Sequence, residues 1–182
     1  IAAAVLKLHE QGRLSIDEPV AEYLPPELIE GLHRKEDGTD NTQLITLRHL
    51  LAHATGLPDY IEAHRKDERS LFDTLLEEGD ISWSIAEGLQ VVKDIQSPLF
   101  DPQALHNGRK KKVRYSDTNF QLLIAVIEEV SGTSLEKVFD ELIYTPLGMQ
   151  HTYHPGSQHT APGQEPAALW YKDRVLHIPA AL

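Results

Sequence analysis

The sequence predicts a mainly α-helical chain that ends in an extended tail. Three observations predict it. Apolar residues recur at helical spacing in successive stretches between residues 1 and 149, and Gly or Pro closes each stretch. From Gln150 the texture changes to "HTYHPGSQHTAPGQEP", a Pro/Gly/His-rich loop, followed by a short aromatic and β-branched run. Two units follow: helical residues 1–149, and residues 150–182 as a loop leading to a short strand or hairpin.

"IAAAVLKLHEQG" carries Ile1, Val5 and Leu8 on one helical face before Gly12 stops it. It has no N-terminal cap and reads as the back half of a helix. In "LSIDEPVAEYLPPELIEGL", Pro19, Pro25 and Pro26 limit any helix to short turns, and "HRKEDGTDNTQ" reads as a polar surface loop. "ITLRHLLAHATGLPDY" places Thr46 as an N-cap, an apolar face at Leu47, Leu50 and Leu51, and Gly56 with Pro58 as the stop. "SLFDTLLEEGD" and "SIAEGLQVVKDIQ" are two amphipathic segments, closed by Gly79 and by Ser97-Pro98.

The stretch "KVRYSDTNFQLLIAVIEEVSG" opens with polar turn residues. It then carries Phe120, Leu122, Leu123, Ile124, Ala125, Val126, Ile127 and Val130, apolar on nearly every face, which predicts a buried helix. Gly132 breaks it. Thr133 and Glu136 have the spacing of a capping box for a further helix that ends near Tyr144, ahead of Pro146. In the tail, Trp170, Tyr171, Val175 and Ile178 suggest strand, with Lys172-Asp173 as a hairpin turn.

Composition excludes several functions. With 17 Lys and Arg against 28 Asp and Glu, the net charge of -11 opposes broad binding to nucleic acid or anionic membrane. The basic run from Arg109 to Arg114 is the exception, and without interleaved aromatic residues it reads as a solvated loop. Absence of Cys removes disulfides, thiolate metal sites and a cysteine nucleophile. No apolar run has the ~18 residues a membrane span needs, so no integral membrane segment is expected.

Four groups could carry chemistry. His49 and His53 in "HLLAH" have helical metal-ligand spacing, but Leu50 stands where the zincin motif needs Glu, so no metal is assigned. Ser134 to Lys137, "SLEK", matches a Ser-x-x-Lys dyad, but a capping role for Ser134 and solvation of Lys137 explain the same residues. Adjacent carboxylates, Glu77 with Glu78 and Glu128 with Glu129, diverge on a helix and read as surface charge. Tyr115 sits in the turn before the buried helix. With an ordinary pKa of about 10 it is a poor base, and lowering that value to about 7 takes about 4 kcal/mol of preferential interaction with the phenolate. A helix N-terminus and a neighbouring ammonium would both act in that direction; otherwise Tyr115 is a hydrogen-bonded corner.

Read in order, "AAAVLKLHEQGRLSIDEPVAEYLP", "ITLRHLLAHATGLPDY" and "RYSDTNFQLLIAVIEEVSGTSLEKVFDELIYTPLGM" followed by "HT" resemble the serine beta-lactamase-related family. That family comprises class C beta-lactamases, D-alanyl-D-alanine carboxypeptidases and related esterases. The resemblance implies the helical domain of a beta-lactamase/transpeptidase-like α+β fold, with the tail leading toward its sheet domain. It implies that Tyr115-Ser116-Asp117 corresponds to the family's Tyr-x-Asn motif. Tyr115 would then be the catalytic general base, and Ser116 and Asp117 would line the substrate site.

The family's Ser-x-x-Lys nucleophile motif precedes the helix that Ile1 to Gly12 resembles, and its Lys-Thr-Gly or His-x-Gly strand follows the tail. Neither is matched in this chain, so a middle portion of an enzyme, inert by itself, is the expectation. No cofactor is implied; a small-molecule or peptide-like acyl substrate is, together with export to the cell envelope or beyond and a possible dimer through an exposed domain surface. Asp117 departs from the motif. Ionised Asp only accepts hydrogen bonds whereas Asn also donates, which disfavours beta-lactam amide recognition and favours ester or D-amino-acid amide substrates. The alternative is a non-catalytic helical homologue serving as a binding or structural module.

Overall fold

A computed structural model describes residues 1–64, 69–78, 83–95, 98–102, 112–154, 169–171 and 174–176. Helices dominate these residues: α1 (Ala2–Glu10), α2 (Pro26–Ile29), α3 (Leu47–Leu51), α4 (Leu71–Glu78), α5 (Ile85–Ile95), α6 (Asp117–Ser131) and α7 (Leu135–Phe139). The expected hairpin is present as β1 (Leu169–Tyr171) paired antiparallel with β2 (Arg174–Leu176), Trp170 opposite Val175. Its turn at Lys172-Asp173, together with Ile178, Gly79, Ser97 and the Arg109–Lys111 part of the basic run, lies outside the described residues.

α6 organises the helices, packing against α1, α3, α5 and α7. The even distribution of apolar residues around it is the cause. Leu122, Leu123, Val126 and Ile127 are each fully buried, and removing each such side chain from water contributes about 1.5–3 kcal/mol. Within α6 only Glu129 is exposed. Gly132 ends the helix in the left-handed conformation (φ 69°), its amide donating to the Glu128 carbonyl, and Arg13 Nη2 donates to the Val130 carbonyl at 3.0 Å.

The segment after α1 forms short turns, as its prolines require: a 3-10 turn at Val20–Glu22 and the four-residue α2. It runs alongside the start of α3, with Val20 N donating to Ile45 O and Arg48 N to Ile16 O. Thr46 caps α3 as expected, in a reciprocal box with His49: Thr46 Oγ1 accepts from His49 N, and His49 Nδ1 accepts from Thr46 N at 3.0 Å.

Four local expectations are corrected. α3 does not run to Gly56. It stops at Leu51, and His53 takes the left-handed conformation (φ 50°). Gly56 (φ 79°) serves a different need, because a β-carbon there would lie 1.9 Å from the Phe100 carbonyl oxygen. The run "HRKEDGTDNTQ" is not wholly a surface loop: His33 is fully buried, its Nε2 donating to the carbonyls of Thr55 (3.1 Å) and Phe100 (3.0 Å). No Thr133–Glu136 box starts α7. Ser134 is the N-cap residue and makes no side-chain cap bond; the free Leu135 amide donates instead to Glu128 Oε1 at 3.0 Å. Glu128 stands in the last turn of α6, one Gly-turn from α7, and so reaches that amide first. It is a cap, not idle surface charge. The chain continues from α7 as a π-helical turn, Asp140–Tyr144, ending where the sequence places the end of the helix.

Candidate active site

Residues 53–60 and the N-terminus of α6 form one hydrogen-bonded unit. Ser116, Thr118 and Asn119 are polar residues at the start of an apolar helix, and all three are fully buried. Each has a partner in the 53–60 loop. Ser116 Oγ and Thr118 Oγ1 both donate to the Pro58 carbonyl, at 3.0 and 2.6 Å. Thr118 Oγ1 accepts from Tyr60 N at 3.1 Å. Thr55 Oγ1 donates to Asn119 Oδ1 at 2.8 Å, and Asn119 Nδ2 donates to His53 Nδ1 at 3.0 Å. Tyr60, itself buried, receives Gln121 Nε2 (2.8 Å) and Trp83 Nε1 (3.2 Å) at its hydroxyl.

The helix opens without a cap from its own N-cap residue, since the Ser116 side chain is turned inward to Pro58. Asp59 supplies what is missing. Its Oδ2 accepts from Asp117 N at 2.8 Å while its Oδ1 accepts from Ile61 N at 2.8 Å. A carboxylate at a helix N-terminus satisfies a free amide and meets the positive end of the helix dipole.

Tyr115 stands just outside this unit and is 58% exposed. Its hydroxyl donates to Asp117 Oδ1 at 2.7 Å. Its ring lies against His53, centroids 4.6 Å apart, with Phe120 at 6.1 Å. The three residues of the motif are thus brought together but face different ways: Ser116 inward as structure, Tyr115 outward, and Asp117 between the phenol and Asp59.

The charges around Tyr115 are opposite to those its use as a base invites. The hydrogen bond to the Asp117 carboxylate, with burial and the negative charges of Asp117, Asp59 and Glu62, pushes its pKa up to about 12. The helix N-terminus does not counter this, because Asp59 occupies it. Burial, and then the Asp59 charge, raise Asp117 above the usual carboxylate range against the pull of the Tyr115 hydroxyl and His53. Burial lowers His53 despite Asp117 and Asp59.

His53 does not share a helix face with His49, since it lies beyond the end of α3. Each imidazole accepts a backbone N–H at Nδ1, His49 from Thr46 and His53 from Ser116 (3.3 Å). Among the described residues no three His, Asp or Glu side chains gather as a metal ion would need. Ser134, the N-cap residue of α7, and Lys137 on α7 are both exposed and follow the C-terminal end of α6, whereas Tyr115 precedes its N-terminal end. Sequence reasoning missed Asp59 and Asn119 and gave His53 no part in the turn that carries Tyr115. The available signal was the buried-helix pattern itself, which carries Thr118 and Asn119 where an apolar helix has no use for polar side chains unless something opposite receives them.

A family model described as Beta-lactamase matches residues 1–179. A Bacillus subtilis (strain 168) protein named putative penicillin-binding protein PbpX is 30% identical over 154 residues, 83% of this chain and 29% of that protein. A teichoic acid D-alanine hydrolase of Staphylococcus aureus is 30% identical over 146 residues, 80% of this chain and 28% of its own length. Among solved structures, a D-stereospecific amidohydrolase from Streptomyces sp. superposes with a TM-score of 0.71 at 27% identity, covering 99% of this chain and 49% of that one. This chain therefore spans less than half the length of each of these relatives. The family-model match over residues 1–179 of the 182 places this chain in the beta-lactamase family.

Proposed function

We propose that this chain supplies the general-base half of a serine acyl hydrolase that acts on esters or D-amino-acid amides. The observation that carries this reading is the placement of Tyr115: a phenol exposed at the mouth of a buried helix, its hydroxyl 2.7 Å from Asp117, on a turn fixed by buried hydrogen bonds. Preorganisation of a reacting group calls for such rigid support. Residues 1–149 act as the helical half and residues 150–182 as the return toward an α/β half.

In the proposed reaction Tyr115 acts as its phenolate: the serine hydroxyl of the whole protein attacks the substrate carbonyl and passes its proton to the phenolate Oη. The phenol then protonates the departing alkoxide or amine, and water releases the acyl group by the reverse relay. Asp117 lines the acyl site. As an acceptor it suits a substrate that offers N–H groups or an ammonium, and it fits poorly with a carbonyl that needs a donor. The relatives named for D-alanine and D-stereospecific amide hydrolysis support this substrate class, and those named for teichoic acid and penicillin binding support a place in the cell envelope.

The test uses the full-length protein with an activated ester, a D-alanine anilide and a chromogenic cephalosporin. Tyr115→Phe is expected to lower acylation by on the order of 10²-fold with little change in Tm. Equal rates for Tyr and Phe would refute the base assignment, and a fluorophosphonate adduct found on Ser134 by intact-mass and peptide analysis would move the chemistry to α7.

A further inference from the structure

We propose that His53 is the positioning residue of Tyr115: a neutral imidazole, locked by α6, against whose face the phenol ring is held. The inference rests on the reading of Tyr115 as the base. It starts from an unusual backbone. His53 is the one non-glycine residue with positive φ (50°) among the described residues. Such conformations persist where surrounding contacts determine them, and they concentrate at functional sites.

Those contacts come from the helix that carries Tyr115. Ser116 N and Asn119 Nδ2 both donate to His53 Nδ1 (3.3 and 3.0 Å), so this nitrogen is an acceptor and the proton sits on Nε2. Asn119 is oriented in turn by Thr55 Oγ1 on its Oδ1, and Arg114 N donates to the His53 carbonyl. The imidazole is thereby fixed in position, tilt and tautomer by the residues on both sides of Tyr115 in sequence.

On the other side of the ring lies the phenol. The His53 and Tyr115 ring centroids are 4.6 Å apart at 35°, and Phe120 closes a second side with an edge contact of 5.1 Å to His53. An exposed tyrosine otherwise samples several rotamers. Here the two rings and the Asp117 carboxylate select one, and a misplacement of a reacting group by about 1 Å can cost up to 10²-fold in rate. With Nδ1 accepting and the proton on Nε2, neither ring nitrogen offers a metal a free lone pair; a core histidine would not be stacked on an exposed phenol. Positioning accounts for both observations.

The experiment uses full-length protein with 13C-labelled tyrosine, the Tyr115 signals being assigned with Tyr115→Phe. In wild-type protein, nuclear Overhauser contacts between the His53 and Tyr115 rings are expected, and their absence overturns the proposal without any substitution. His53→Asn keeps an acceptor near the Nδ1 position and tolerates left-handed φ, but removes the ring. It is expected to retain the fold, to shift the Tyr115 ring signals toward those of a free tyrosine, and to lower kcat about tenfold at constant KM. In the Tyr115→Phe background the same substitution should add no further loss. Unmoved Tyr115 signals or unchanged kcat in His53→Asn would refute positioning. A wild-type protein that keeps the ring contact but forms no acyl-enzyme would fail the functional reading while leaving the ring positioning standing, so the two failures are distinguished.

Discussion

Asp117→Asn removes a negative charge from the site with almost no change of shape, and its consequences can be worked from the geometry. Burial and the Asp59 carboxylate raise the Asp117 pKa, even after the stabilising bond from Tyr115 is counted. A carboxyl whose pKa is raised on folding binds its proton more tightly folded than unfolded. The stability it contributes is complete at low pH and is lost as pH rises through the raised value. That loss accompanies ionisation of Asp117, and the amide, which cannot ionise, abolishes it. Two like charges 4 Å apart interact by about 4 kcal/mol at an effective dielectric of 20; at greater separation and half exposure, about 1 kcal/mol is a reasonable remainder.

The expected gain is therefore about 1 kcal/mol, or 2–4 °C in Tm for a chain of this size. A second signature is independent of the first. The raised phenol pKa, about 12, owes most to the hydrogen bond to the ionised Asp117. Its stabilising effect is present below the ordinary tyrosine value and disappears between pH 10 and about 12. The asparagine variant should titrate Tyr115 close to an ordinary tyrosine, read from the 13Cζ shift of labelled tyrosine, and should lack that alkaline loss. A lower Tm at pH 7 together with a Tyr115 titration still near 12 would show that Asp117 stabilises the turn and that burial, not its charge, sets the phenol.

Two further substitutions probe the scaffold. Gly56→Ala puts a β-carbon 1.9 Å from the Phe100 carbonyl oxygen at φ 79°, and it should cost more than about 2 kcal/mol in urea unfolding; a cost below 0.5 kcal/mol would mean that the 98–102 segment does not pack on the 53–60 loop. Asn119→Leu leaves the buried Thr55 hydroxyl without its acceptor and His53 Nδ1 without its shorter donor, which should cost about 2–3 kcal/mol and loosen the Tyr115 ring in the same 13C spectra; an unperturbed melt would place the network's importance elsewhere.

How much of this was legible in the sequence depends on where each residue's partner lies. α6 was legible because burial on all faces is written in consecutive residues, and the Thr46 cap because its partner His49 is three residues away. The hairpin was legible from its aromatic and β-branched residues on either side of Lys172-Asp173. His33 was not: its polar neighbours disguise it, and the carbonyls that hold it lie 22 and 67 positions on. Gly56 was assigned to ending a helix when its real constraint is Phe100. The expected capping box of α7 failed because Glu128, on the preceding helix, competes for the same amide. Tyr115 was singled out correctly as a turn residue before a buried helix, but the charges around it were not, since Asp59 enters from a loop 58 residues away from Asp117.

That acidic surround makes a specific demand on the reading of Tyr115 as a base. A phenol with a pKa of about 12 is ionised at about one part in 10⁵ at neutral pH. The helix dipole cannot correct this, because the positive end of α6 is already occupied by Asp59. One ammonium brought within about 4 Å at an effective dielectric of 20 contributes about 4 kcal/mol, which raises the phenolate fraction about a thousandfold. A cation so placed also competes for Asp117, and releasing the Tyr115–Asp117 hydrogen bond removes the largest cause of the elevation. The two effects would act together, so if Tyr115 is the base the 2.7 Å bond is the resting position from which a cation would release it. On that reading, base strength at this turn would be set by the approach of such a cation, and the direction of the phenol by its ring contacts with His53 and Phe120 and the buried hydrogen bonds of Ser116, Thr118 and Asn119.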